Sequence, residues 1–306
     1  MLAAFAGDFS QLMIKVWSSN TVSGYKTGMG ALRSFLSFPL PSGCVVKDLW
    51  NPFDSGVNES GWIAFMLWLK RPKLRGGRGV TFDTAQAYLG GVCSVIAVVT
   101  GTRPSLAKMP LLVMAKKAWR RVSRPQRKKR GLTHTQLQAI IKRGQLGKKR
   151  DRVGAAITVL GYHGLLRLAE IFEEGIAWEN ITVGDDNVEL WLPGSKTDVF
   201  REGSKATITR QVWDLIMDLL QVDPRTATGR LFCITRASYL KWLSLSLDDD
   251  QWGHSLRRGG AQHLFNCGVP VEVIKRRGRW VSDCVYRYLH CENSDARVVS
   301  EALASQ

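Results

Sequence analysis

The sequence predicts a mainly α-helical protein with one small antiparallel β-sheet, divided between two domains. Three observations predict this. Residues 1–122 carry apolar side chains at helical spacing and no convincing strand. Short β-rich segments occur only in the second half, around 181–209. Between the halves lies Arg124–Arg130, where Pro125 disfavours a continuous helix and no apolar side chain interrupts the basic run.

Phe9–Trp17 is apolar at helical spacing. Ser23–Phe38 places Tyr25, Met29, Leu32, Phe35 and Leu36 on one helical face. Ser60–Leu69 is rich in tryptophan and aliphatics, and Thr81 can cap a helix running through Tyr88 and Ile96. Pro110–Arg121 has proline at its first turn, where the missing N–H costs nothing. Beyond the basic run, Thr133 can cap a helix to Arg143, and Arg152–Glu173 has one long apolar helical pattern. Ile181–Val183, Asn187–Leu192 and Lys205–Thr209 are short strands, with the turn cluster Pro193–Asp198 between the last two. Helices resume at Arg210–Leu220 and continue, broken at Gly268 and Pro270, to the C-terminus.

Composition narrows the partners. The chain has 306 residues and a formal charge of +17. Such an excess favours nucleic acid, because neutralising phosphates releases counterions. An acidic membrane surface is the alternative, but no long amphipathic basic helix supports it. No run of about 18 apolar residues is evident, since Ala85–Thr100 is short and contains Tyr88, Gly90 and Gly91. Met1–Ser10 lacks a basic start and holds Asp8, unlike a signal peptide. The six cysteines are scattered without metal-ligand spacing, so free thiols in a reducing, intracellular compartment are expected, with no structural metal. No Asp or Glu occurs between Asp83 and Asp151. The densest basic residues there, Arg124, Arg127, Lys128, Lys129 and Arg130, suit a strap along DNA phosphates; a solvated linker or a nuclear import signal is the plainer reading.

Residues suited to phosphate chemistry are spread through the second half. Arg167 sits in an apolar helical pattern, where burial is costly unless the arginine is paired or functional. Lys196 is at the hairpin tip. His254 and Arg257 are three apart, hence neighbours on a helix, and Gly278-Arg279-Trp280 precedes Tyr288. Each has a plainer reading. Arg167 can pair with Glu170, His254 can cap a helix, Lys196 can be an exposed turn lysine, and Tyr288 can be a core tyrosine.

The ordered set Arg167 with Glu170, Lys196, His254 with Arg257, Trp280 and Tyr288 resembles the tyrosine recombinase (phage integrase) family across essentially the whole chain. The Gly278-Arg279-Trp280 box with Arg287-Tyr288 is most similar to recombinases of eukaryotic mobile elements, Crypton-like or DIRS-like. Tryptophan stands where many members have histidine, and the interval to Tyr288 is one residue shorter than in many bacterial members. Tyr286 is therefore a rival nucleophile. On an α-helix the two are about 200° apart, so only one can face the site.

The resemblance implies a C-shaped two-domain clamp around double-stranded DNA. It assigns 1–122 to a core-binding domain, 123–130 to a linker and 131–306 to a catalytic domain. It implies a 3′-phosphotyrosyl link at Tyr288, with no cofactor or metal. Arg167 and Arg257 would grip the non-bridging oxygens and His254 would accept the tyrosine proton. Trp280 would donate its indole N–H to phosphate, and Lys196 would protonate the leaving oxygen. It further implies a homo-tetramer on synapsed sites, nuclear in a eukaryotic host, with the apolar tail Asn293–Gln306 long enough to dock on a neighbour. The alternatives are a type IB topoisomerase-like enzyme and a recombinase-derived protein that binds DNA without catalysis.

Overall fold

Side-chain caps set the starts of several helices in the computed structural model, which describes residues 17–53, 58–71, 79–123, 130–173, 175–194, 202–223, 226–248 and 251–289. The chain divides into two compact units, Met1–Gln126 and Arg127–Gln306.

In the first unit, α1 (Ser19–Leu36) begins under the Ser18 hydroxyl, which accepts from the Thr21 N–H. It starts a turn earlier than apolar spacing predicts, because a cap and a polar first turn leave no periodic signal. Asn58 and Thr81 cap α2 (Glu59–Lys70) and α3 (Phe82–Thr100) in the same way, and α4 (Pro110–Val122) has Pro110 at its first position. Glu59 of α2 also accepts from the Leu112 N–H at 2.8 Å, tying α2 to the start of α4. The core is aromatic. Phe35 lies 5.4 Å from Phe65 and 5.9 Å from Trp50, and Trp50 rests against Gly61, where a Cβ would fall 2.4 Å from its ring. The apolar stretch read as short belongs to α3, whose 19 residues are long and apolar enough, by length and composition, to cross a membrane. One face of α3 is nonetheless packed into this core through Ala85, Leu89, Val92, Cys93 and Ile96.

The second unit is built around α6 (Lys149–His163), in which every residue from Gly154 to Tyr162 is buried. Small and aliphatic residues all round the helix permit this, and α5 (His134–Leu146), α8 (Arg210–Leu220), α9 (Arg236–Leu243) and α10 (Ser255–Asn266) pack against it. Thr133 caps α5 in a reciprocal box with Gln136.

The single helix expected over Arg152–Glu173 is corrected to two. Helix α6 stops at His163, Leu165 turns left-handed at φ 48°, and a short α7 (Leu168–Phe172) follows. Leu165 and Leu166 stay fully buried across the break, so the apolar pattern reports burial there rather than helix. Arg167 is thus the residue that caps α7, not a helix-interior residue.

Strands β1 (Ile181–Val183), β2 (Asn187–Leu192) and β3 (Ser204–Thr209) form an antiparallel sheet in the order β1-β2-β3. Its register pairs Thr182 with Glu189 and Leu190 with Ala206. Val188, Leu190, Leu192, Ala206 and Ile208 face the core, while Lys205 pairs with Glu189 outside at 2.7 Å. Helix α10 ends before Gly268, and Pro270 begins α11 (Val271–Arg277).

Candidate active site

Helix α7 begins with a reciprocal arrangement. Glu170 accepts from the Arg167 backbone N–H at 2.8 Å and from Arg167 Nη1 at 2.7 Å. The plain reading of Arg167, a pair with Glu170, is therefore realised. Yet Glu170 is only 1% exposed and serves more than Arg167. Arg279 Nη2 donates to its Oε2 at 2.9 Å, and Arg257 Nη1 stands 4.0 Å from the same oxygen. One carboxylate thus faces three guanidiniums, leaving two positive charges uncompensated within the group. Uncompensated buried charge costs several kcal/mol, so the cluster would be stabilised by a bound anion.

Arg257 is 2% exposed and reaches past Glu170 to main chain. Nη1 donates to the Leu165 carbonyl at 2.8 Å, Nη2 donates to the Gly278 carbonyl, and the guanidinium stacks 4.3 Å from the Trp280 ring centre. Burial, then the charge of Arg167, pulls its pKa down to about 9, with Glu170 opposing. It remains a cation at neutral pH. Gly278 makes the stacking possible, since a Cβ there would collide with the Trp280 ring. The Trp280 indole N–H has no hydrogen-bond partner among the described residues.

His254 lies at the start of α10 and is exposed. Partial burial of its ring, with Arg257, Arg167, Arg258 and Arg236 nearby, holds its pKa below the usual histidine value. It is therefore neutral at pH 7 and able to accept a proton.

Tyr288 ends a 3₁₀ turn, Asp283–Arg287, and not the α-helix the sequence suggested. Its ring lies 5.6 Å from Trp280, with the Arg258 guanidinium 5.0 Å over it. It also lines a cavity of about 300 Å³ together with Arg130, Tyr162, Arg258, Gln262 and His263. Tyr286 is 55% exposed.

The structure therefore brings Arg167, Glu170, Arg257, Trp280 and Tyr288 into one linked network, with His254 among its arginines. Lys196, Arg124, Arg127, Lys128 and Lys129, and the tail after Leu289, lie outside the described residues. Arg130 is 65% exposed and paired with Asp248 at 3.3 Å, while its carbonyl accepts from the Ser255 hydroxyl.

No protein-family model matches the sequence, and no curated protein does. Solved structures match over nearly the whole chain. The Tn1549 transposon integrase bound to transposon right-end DNA aligns with a TM-score of 0.63 at 15% identity, covering 97% of this chain and 98% of that one. A lambda integrase dimer bound to a COC′ core site gives 0.58 at 13% identity, covering 95% of each chain. The XerH site-specific recombinase, in a post-cleavage complex with palindromic difH, gives 0.59 at 12% identity over 92% of this chain and 79% of that one.

The chain has the tyrosine-recombinase fold. The match runs through both units, and within the tyrosine-recombinase fold the arginine cluster, His254 and Tyr288 all belong to the second. At these identities the likeness is one of backbone, and the side-chain chemistry rests on the geometry of this chain. Sequence reasoning missed two participants. Arg279 entered only as the middle of the Gly278-Arg279-Trp280 box, with no role of its own, and Arg258 was not singled out. The only signal for Arg279 was its charge beside a glycine. Its left-handed backbone, φ 56°, is invisible in sequence.

Proposed function

We propose that the protein is a site-specific DNA recombinase or integrase that cuts and rejoins strands through Tyr288. The observation that carries this reading is the half-buried cationic cluster of Arg167, Arg257 and Arg279 on the buried Glu170. It sits in one network with Trp280 and Tyr288, in a chain with the tyrosine-recombinase fold.

The Tyr288 hydroxyl attacks phosphorus, a tyrosyl–phosphate bond forms, and the bond to the 5′-oxygen breaks. The strand is left as a 3′-phosphotyrosyl link and a free 5′-hydroxyl, so bond energy is conserved for rejoining. Neutral His254 takes the tyrosine proton. Arg167 and Arg257 stabilise charge on the non-bridging oxygens with the N–H hydrogens their protein partners leave free, since forked donors fit phosphate. Trp280 holds the plane of Arg257 by stacking and keeps its indole N–H for a phosphate oxygen. Lys196, at the β2–β3 connection, supplies the proton to the leaving oxygen. The basic run ending at Arg130 tracks the duplex backbone. A tetramer on paired sites, action on a mobile element and a nuclear location in a eukaryotic host complete the proposal.

Denaturing the protein after incubation with nicked or supercoiled DNA tests this. Wild type should carry covalently attached DNA, Tyr286→Phe likewise, and Tyr288→Phe none despite normal binding. If Tyr286→Phe is the inactive variant, the nucleophile is misassigned. A wild type that binds DNA but never forms an adduct would favour a non-catalytic DNA-binding role.

A further inference from the structure

Two of the three non-glycine residues with left-handed backbone among the described residues, Leu165 and Arg279, meet at the arginine cluster. Arg279 Nη2 donates to Glu170 Oε2 at 2.9 Å and also approaches the Leu165 carbonyl at 3.4 Å. The Leu165 carbonyl in turn accepts from Arg257 Nη1 at 2.8 Å. A bulky residue adopts positive φ only where surrounding contacts hold it there. Here the Leu165 carbonyl is shared by Arg257 and Arg279, and Arg279 also holds Glu170.

The hydrogen bonds show how the site divides its donors. Glu170 Oε1 is taken by Arg167, and Oε2 by the Arg167 backbone N–H and Arg279. Arg257 Nη1 is left 4.0 Å from Oε2, outside hydrogen-bond range, and bonds to a neutral carbonyl instead. Without Arg279, Oε2 would keep only the neutral Arg167 backbone N–H and have room for a charged donor, for which Arg257 is the nearest candidate. Capture by a carboxylate would spend the donors and charge that a phosphate needs.

We infer that Arg279 is a positioning residue: by occupying Glu170 Oε2 it keeps Arg257 off the carboxylate and free to bind an anionic phosphate oxygen. This rests on the recombinase reading for its consequence in catalysis, but not for the geometry itself. Arg279 is 13% exposed, with its Nε buried and unpartnered and its other donors turned to protein acceptors. It acts through Arg257 rather than by touching DNA.

The test is Arg279→Gly, which accepts positive φ without strain and leaves a guanidinium-sized space beside Glu170. In a crystal structure of this variant the Arg257 Nη1 to Glu170 Oε2 distance should close from 4.0 Å to hydrogen-bond range. Adduct formation on DNA should slow at least about tenfold, while DNA affinity changes less than about threefold. Guanidinium chloride at low, non-denaturing concentration should restore the rate, which a general loss of folding would not allow. Arg279→Lys, which keeps the charge on Oε2, should fall between the two. An unmoved Arg257 in Arg279→Gly overturns the inference, as does wild-type adduct formation by that variant. If wild type forms no adduct but Arg257 still moves in the variant, the recombinase reading fails and the positioning role stands.

Discussion

Removing the charge of Glu170 tests whether this carboxylate is what makes the arginine cluster tolerable. Glu170→Gln keeps the shape but leaves three guanidiniums facing a neutral amide. It removes the 2.7 Å charged bond to Arg167 Nη1 or the 2.9 Å bond to Arg279 Nη2, because the amide has a single acceptor oxygen. Breaking a buried ion pair by deleting one partner costs about 3–5 kcal/mol. For a unit the size of Arg127–Gln306, each kcal/mol lowers Tm by roughly 2–4 °C, so a fall of about 10 °C is expected. The assay is thermal unfolding by circular dichroism in low salt, repeated with sulfate and with duplex DNA. Both anions should recover part of the loss, and more in the variant than in wild type, since the variant's cluster holds one more uncompensated charge. A fall below about 2 °C, or no differential rescue by anions, would refute the idea that Glu170 balances the cluster.

Two further outcomes follow from the same geometry. Arg257→Lys should cut adduct formation by at least about 10²-fold with DNA binding retained, because an ammonium cannot bond to both the Leu165 and Gly278 carbonyls and stack on Trp280; near-normal cleavage would remove Arg257 from its role. His163 is held down to about 4 by burial, then by His263, Arg277 and His134. Folded His163 therefore stays unprotonated between that value and its ordinary 6.5, while the unfolded chain takes up the proton. Its contribution to stability is full above pH 6.5 and is lost as pH falls toward 4, by up to about 3 kcal/mol. Urea unfolding of wild type and His163→Gln at pH 7 and 5 checks this, and equal losses in both proteins would rule it out.

The helices and strands were legible where their signals are local. Thr81, Thr133 and Pro110 announce helix starts because a cap or a first-turn proline acts within three residues. The alternation through Val188, Leu190 and Leu192 marks a half-buried strand for the same reason. The failures came where burial and backbone part company. Leu165 and Leu166 continue the apolar pattern of α6 although the chain has left the helix, and hydrophobicity cannot register a φ of 48°.

By itself the sequence determined the helical class with its small sheet, the cationic excess, and the order of Arg167, His254, Arg257 and Tyr288 along the chain. Only the tertiary structure decided that Arg167 caps α7, that Glu170 is shared among three arginines, and that Arg279 is one of them. The reason is the range of the forces. Caps and periodicity act between residues a turn apart, whereas Glu170 and Arg279 are separated by 109 positions and meet only because buried helices bring them together. The left-handed backbone of Arg279 disfavours itself locally by about 1–2 kcal/mol. Only contacts from distant parts of the chain can hold it there.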